Sequence, residues 1–158
     1  MIQLTATADF TGYDQAVAQT HQALGSAMRI VVNEAGRAAE EHARTNHKHK
    51  KRTGFLTSRS ALKFLERRSG GDLVEGELTN IAPYARYVEY GTRAHIILAK
   101  NAQALRFVQA GKVRFAKSVR HPGTDPLPFM QPGVEHAFTV MVQGFHREFD
   151  YIGDTYWK

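Results

Sequence analysis

The sequence predicts an α+β fold: a long N-terminal helix and a C-terminal helix packed on an antiparallel sheet of about four strands. Three observations predict it. Apolar residues recur at helical spacing between about 14 and 44, and again between about 132 and 149. Between those stretches lie runs of apolar–polar alternation, broken by Ser69-Gly70-Gly71-Asp72 and by Gln109-Ala110-Gly111-Lys112. The length of 158 residues is that of one domain, large enough to bury roughly 68–70% of its unfolded surface without staples.

The first helix rests on Val17, Leu24, Met28, Val31, Ala35, Ala38 and His42, which step by three, four or seven. Thr11 or Asp14 is placed to cap it. Gly25 and Gly36 lie inside it, each weakening it by about 1 kcal/mol against Ala. Such glycines read either as a helix held by its tertiary packing or as points where a neighbouring helix or subunit comes close. Residues 45–53 contain no apolar side chain and read as a solvated basic loop. Leu62, Phe64 and Glu66 alternate with Lys63 and Leu65, and 73–78 alternates likewise, predicting a hairpin. Pro83 suits a helical first turn and Gly91 a helical end, so 82–90 is read as a short helix. Tyr84, Tyr87 and Val88 share one face of it, and Tyr84 and Tyr87 are read as core. A second hairpin is expected over 104–108 and 113–119. Val134, Phe138, Met141, Phe145 and Phe149 form the stripe of the C-terminal helix. Residues 150–158 are read as a flexible tail whose Tyr156 and Trp157 anchor on the domain or on a partner.

Composition narrows the chemistry. There is no cysteine, so disulfides and thiolate metal sites are excluded. No apolar run approaches the ~20 residues of a membrane span, and the first residues lack the pattern of a signal peptide. The net charge of +6 is concentrated: residues 36–68 carry ten Lys/Arg against three Glu, and the remainder of the chain nets −1. One basic segment therefore meets one partner or environment. His42, His47 and His49 match no zinc spacing, and two of them sit among lysines that repel cations. His121 is read as bonding its own turn rather than as a general base, because no nucleophile or carboxylate is tied to it by spacing. No phosphate loop, dinucleotide fingerprint or nucleophile elbow occurs. No cofactor, no metal and no enzymatic activity are expected.

Four of the five prolines fall between 122 and 132, and shaped loops usually present a surface. The candidate assembly residues are accordingly Glu89, Arg93, His121, Pro122, Pro126, Pro128 and Phe129. Lys48, Lys50, Lys51 and Arg52 are the candidates for contact with a DNA channel or an acidic partner.

The central block carries a family resemblance. Thr53-Gly54-Phe55-Leu56, then Tyr84-Ala85-Arg86-Tyr87-Val88-Glu89-Tyr90-Gly91-Thr92, His95-Ile96-Ile97, Ala104-Leu105-Arg106-Phe107, and His121-Pro122-Gly123-Thr124 followed by Pro128-Phe129 occur in one order. Over roughly 53–140 this series resembles the head–tail joining, or tail-completion, proteins of long-tailed bacteriophages and prophages. The resemblance implies a non-enzymatic virion component of the neck, assembled in the host cytoplasm. It would form a homo-oligomeric ring, six-fold rather than twelve-fold, between the connector or stopper and the tail terminator or tail tube. Contact with genomic DNA through the basic loop is compatible with that place, and no membrane partner is implied. Two other readings compete. One is a non-specific nucleic-acid-binding protein using the basic segment 44–68; the other is a small hydrolase with a histidine site.

Overall fold

The computed structural model describes residues 12–48, 54–70 and 73–157. Helix α1 spans Tyr13–Thr45 and is followed by a 3₁₀ turn, Phe55–Thr57. Strands β1 (Leu62–Gly70) and β2 (Leu73–Asn80) form a hairpin. Helix α2 is Ala85–Tyr90 and strand β3 is His95–Leu98. Strands β4 (Leu105–Gln109), β5 (Lys112–Ala116) and β6 (Ser118–His121) lead into helix α3, Met130–Tyr156. The α+β class holds, with both long helices where periodicity placed them.

The sheet differs from expectation. Instead of about four strands in one layer, the described residues form three two-stranded antiparallel sheets: β1–β2, β3–β6 and β4–β5. The expected second hairpin arm over 113–119 is divided at Lys117. Its first part stays with β4, while its second crosses to β3, where Ala99 N–H donates to the Lys117 carbonyl at 3.0 Å. Alternation alone cannot show such a change of partner, because both halves keep the period of two.

Helices α1 and α3 pack over a seam of small residues. Ala27, Val31, Ala35, Ala39 and Ala43 recur every fourth position on α1, and all are buried. Gly133 and Gly144 face them from α3. A Cβ on Gly133 would stand 2.6 Å from the Ala39 carbonyl oxygen, and one on Gly144 would stand 3.0 Å from a Val31 methyl. The predicted stripe of α3 is therefore not its buried face. Val134, Phe138 and Phe149 point outward, and the aromatics expected to fill the core are replaced by backbone approach.

The glycine within α1 has a similar use. The Phe64 ring of β1 lies against Gly36, where an added Cβ would come within 2.2 Å, and against Gly76 of β2 at 2.4 Å. Of the two readings for the α1 glycines, Gly36 follows the close-approach one, with a strand of the same chain. Arg44, also on α1, is buried. It donates to the carbonyls of Thr57 (3.1 Å) and Leu62 (2.8 Å) and pairs with Glu40, whose other oxygen accepts the Phe64 N–H at 2.7 Å. This knot ties the end of α1 to the 3₁₀ turn and β1. Next to it Leu56, Leu62, Ala82, Ala85 and Phe129 close the core.

The C-terminal segment is helical rather than a flexible tail. Helix α3 continues to Tyr156 because Ile152 is buried against the start of α1, and Trp157 meets Tyr13 edge-on at 6.4 Å. Tyr156 is half-buried and lines, with Ile152, a shallow groove against α1, so both aromatics anchor on the chain itself.

Candidate functional site

Two glycine turns cross at the site that the sequence singled out. Gly91 ends α2 at φ 70°, and Gly123 follows β6 at φ 98°, a left-handed region that only glycine enters freely. Thr92 and Thr124 exchange both backbone hydrogen bonds, at 3.0 and 3.1 Å, and their hydroxyls meet at 3.1 Å. Each glycine lies under the other turn. A Cβ on Gly91 would sit 2.4 Å from the Thr124 oxygen, and one on Gly123 would sit 2.3 Å from the Thr92 oxygen. Leu127 N–H donates to the Val88 carbonyl at 2.9 Å and extends the lock. His121 accepts the Gly123 N–H on Nδ1 at 3.1 Å, in keeping with its reading as a turn residue, and its ring lies 5.1 Å from that of His95 across the β3–β6 pair.

Glu89 is the residue that sequence reasoning misassigned. It is buried and not available as a surface carboxylate. Its two oxygens accept the N–H groups of Phe129 (2.9 Å), Met130 (3.1 Å) and Gln131 (2.9 Å). The next helical residue, Pro132, has no N–H to satisfy. Every orphan donor at the start of α3 is thus accounted for by one carboxylate, whose charge also complements the helix dipole. Phe129, the other misassigned candidate, is fully buried in the core. A signal was present in the sequence: nothing between Leu127 and Met130 is a Ser, Thr, Asp or Asn, so a long helix begins there without a local cap.

The remaining candidates lie outside. Arg93, Pro122, Pro126 and Pro128 are exposed, and His121 is partly so. Tyr84 and Tyr87, read as core, are outside as well, Tyr87 at 58% exposure, and Tyr90 beside them is 72% exposed. Only Val88 of that face packs on the core, because α2 is short and Ala85 and Glu89 take its inner side. Tyr84, Tyr87 and Tyr90, with Arg93 and Leu127, line an open groove of about 930 Å³ over the crossed turns. A second groove, of about 580 Å³, shares Arg86 and Tyr90 with it and runs to Met130 and Val134. Helix α2 is therefore a ridge with aromatic side chains between two recesses.

Of the four basic-loop candidates only Lys48 falls among the described residues, and it is exposed; Lys50, Lys51 and Arg52 lie outside them. Elsewhere the basic segment is less available than its charge count suggests. Arg44 is buried on Glu40, and Arg67 pairs with Glu77 at 2.6 Å. Glu66 binds Asn33 and Arg29, and the Asn33 contact, ahead of the Arg29 charge, holds its carboxyl below the usual range. Among the described residues no group of three His, Asp or Glu converges as a metal site, and no helix is long and apolar enough to cross a membrane. His42 instead stacks on His136 across the α1–α3 seam, with ring centroids 4.9 Å apart. No protein-family model, curated protein or solved structure matches this chain.

Proposed function

We propose that this chain is a structural subunit of the neck of a tailed bacteriophage. In this reading it forms a ring at the head–tail interface and joins the connector to the tail tube, without catalysis or a cofactor. One observation carries the proposal. The segments that resemble the joining proteins build a crossed-turn scaffold, and that scaffold holds a row of exposed tyrosines and Arg93 beside open grooves. Exposed aromatic and arginine side chains on a rigid base are the usual anchors of protein interfaces, and preset turns lose little freedom on docking. The buried side supports the same reading. Among the described residues Phe129, Leu62 and Val31 are the largest fully buried side chains, while Tyr87, Tyr90, Phe115 and Phe138 stand exposed.

A ring uses a heterologous contact that closes by rotation, with six-fold closure favoured by the family resemblance. Exposed Lys48 at the edge of the basic loop favours a place for that loop on the DNA channel, where phosphates accept its charge. Binding of nucleic acid as the main function, through 44–68, is the weaker reading, since Arg44 and Arg67 of that segment are already engaged within the fold. Mass measurement of isolated necks tests the ring. Multiple copies in a closed set are expected, and one copy per particle would overturn the reading.

A further inference from the structure

The β4–β5 hairpin projects as an arm whose substantial contacts lie between its own two strands. An isolated two-stranded hairpin is marginal in water and needs something to pack on. The register places Val108 opposite Val113 and Arg106 opposite Phe115. With side chains alternating along each strand, these four share one face. Val108, Val113 and Phe115 are all exposed, Phe115 at 68%. The arm is also uniformly basic: residues 105–116 hold three Lys/Arg and no Asp or Glu.

Helix α3 offers the opposite surface. Val134, Phe138, Val142 and Phe149 lie within about 80° of arc at 100° per residue, and all four are exposed, Phe138 at 61%. They run over about 22 Å at 1.5 Å per residue, a span comparable with the arm. Residues 130–156 carry four Asp/Glu against one Arg, and exposed Glu135 and Asp150 lie beside the apolar row.

We propose that the arm of one copy lies along the outward face of α3 of the next copy. Apolar faces of similar length meet, and arginines and Lys112 around the arm meet carboxylates around the helix. Arm against arm would juxtapose like charges, as would helix against helix, so the pairing is head-to-tail. That is the heterologous contact a ring requires, and the inference rests on the ring reading to that extent. The three-residue apolar face argues for a protein partner, whereas an arm built for DNA would need only its charge.

Because the chain has no cysteine, single-cysteine variants report the contact directly. Phe115→Cys and Phe138→Cys proteins, mixed and oxidised, are expected to give the mixed disulfide dimer about tenfold above the yield from Phe115→Cys with Glu75→Cys on β2, since complementary charge favours the encounter. Adding Arg106→Glu, on the same face as Phe115, to the arm variant should bring the yield down to that control, and Glu135→Lys on the helix variant should recover it. Control-level yield from the first mixture would overturn the proposal. So would unchanged yield after the charge reversal. Multicopy necks together with control-level capture would remove the arm contact and leave the ring reading standing, whereas capture with one copy per neck would keep the contact and remove the ring.

Discussion

The crossed turns and the α1–α3 seam hold their parts together by opposite means. At the turns, named polar groups do the work: two backbone bonds between Thr92 and Thr124, and three N–H groups received by Glu89. Along the seam an exposed Arg147–Glu34 ion pair joins the helices at 2.8 Å, but it is the small Ala and Gly residues that let them approach until Gly133 lies under the Ala39 carbonyl. The consequence is shared. Phe129 is buried at the first, but Tyr87 and Tyr90 stand outside it, and Phe138 and Phe149 stand outside the seam. These exposed side chains on two stiff supports are the surfaces proposed to meet partners. The two supports should also fail differently, because a bonded lock depends on single residues while a packed seam spreads its contacts.

The largest effect is expected at Glu89. Replacing it by Ala removes all three accepted bonds at the start of α3 and should cost about 3–5 kcal/mol, since bonds to a buried charge are the strong ones. Urea unfolding will read this as a lower midpoint with an unchanged slope. A loss below about 1 kcal/mol would mean that water replaces the carboxylate. Gly123→Ala comes next. The left-handed backbone and the 2.3 Å approach to Thr92 should together cost about 2–3 kcal/mol. By comparison Gly144→Ala on the seam should cost about 1 kcal/mol, because the Val31 methyl at 3.0 Å can give way and Ala is the better helix former. Equal losses at Gly123 and Gly144 would break the contrast between bonded lock and packed seam.

Acid should act on a third junction. Burial pushes the Glu40 carboxyl up, but the Phe64 N–H and Arg44 outweigh it and hold the group below its ordinary value. The folded state therefore releases this proton more readily than the unfolded chain. Its stabilisation is complete above the ordinary Glu range near pH ~4.3 and is lost as pH falls through the lowered value. Glu40→Gln should flatten the acid limb of a stability-versus-pH curve, and an unchanged limb would show that other carboxylates set it. The smallest effect on stability is expected for Tyr87→Ser with Tyr90→Ser. Both side chains are mostly in solvent, so unfolding should shift by about 0.5 kcal/mol or less while joining of heads to tails fails. Particles that join normally would remove the tyrosine ridge from the interface.

Much of this architecture is legible in the sequence, and the exceptions have physical causes. The two helices and the first hairpin show in their periods of 3.6 and 2. Gly91 and Gly123 show as turn formers, and Pro122 beside His121 marks a shaped loop. What the sequence does not show is pairing at a distance. Glu89 caps a helix that begins 41 residues later, and β6 leaves its neighbour β5 for β3. The outward turn of Phe138 and Phe149 is also hidden, because an apolar stripe signals a buried face only when the adjoining stripe is not small enough to pack more closely. Here Gly133, Gly144 and the alanines of α1 take that place. Within the region singled out, the residue roles differ from expectation: Glu89 and Phe129 hold the fold, and Tyr84 and Tyr87 face outward.

The most direct test of the neck reading is electron microscopy of particles assembled in a host that lacks only this chain. The account predicts filled or DNA-leaking heads and separate, complete tails, with joining restored by the wild-type protein and not by the variant carrying Tyr87→Ser and Tyr90→Ser. Normally joined, infectious particles in its absence would contradict it.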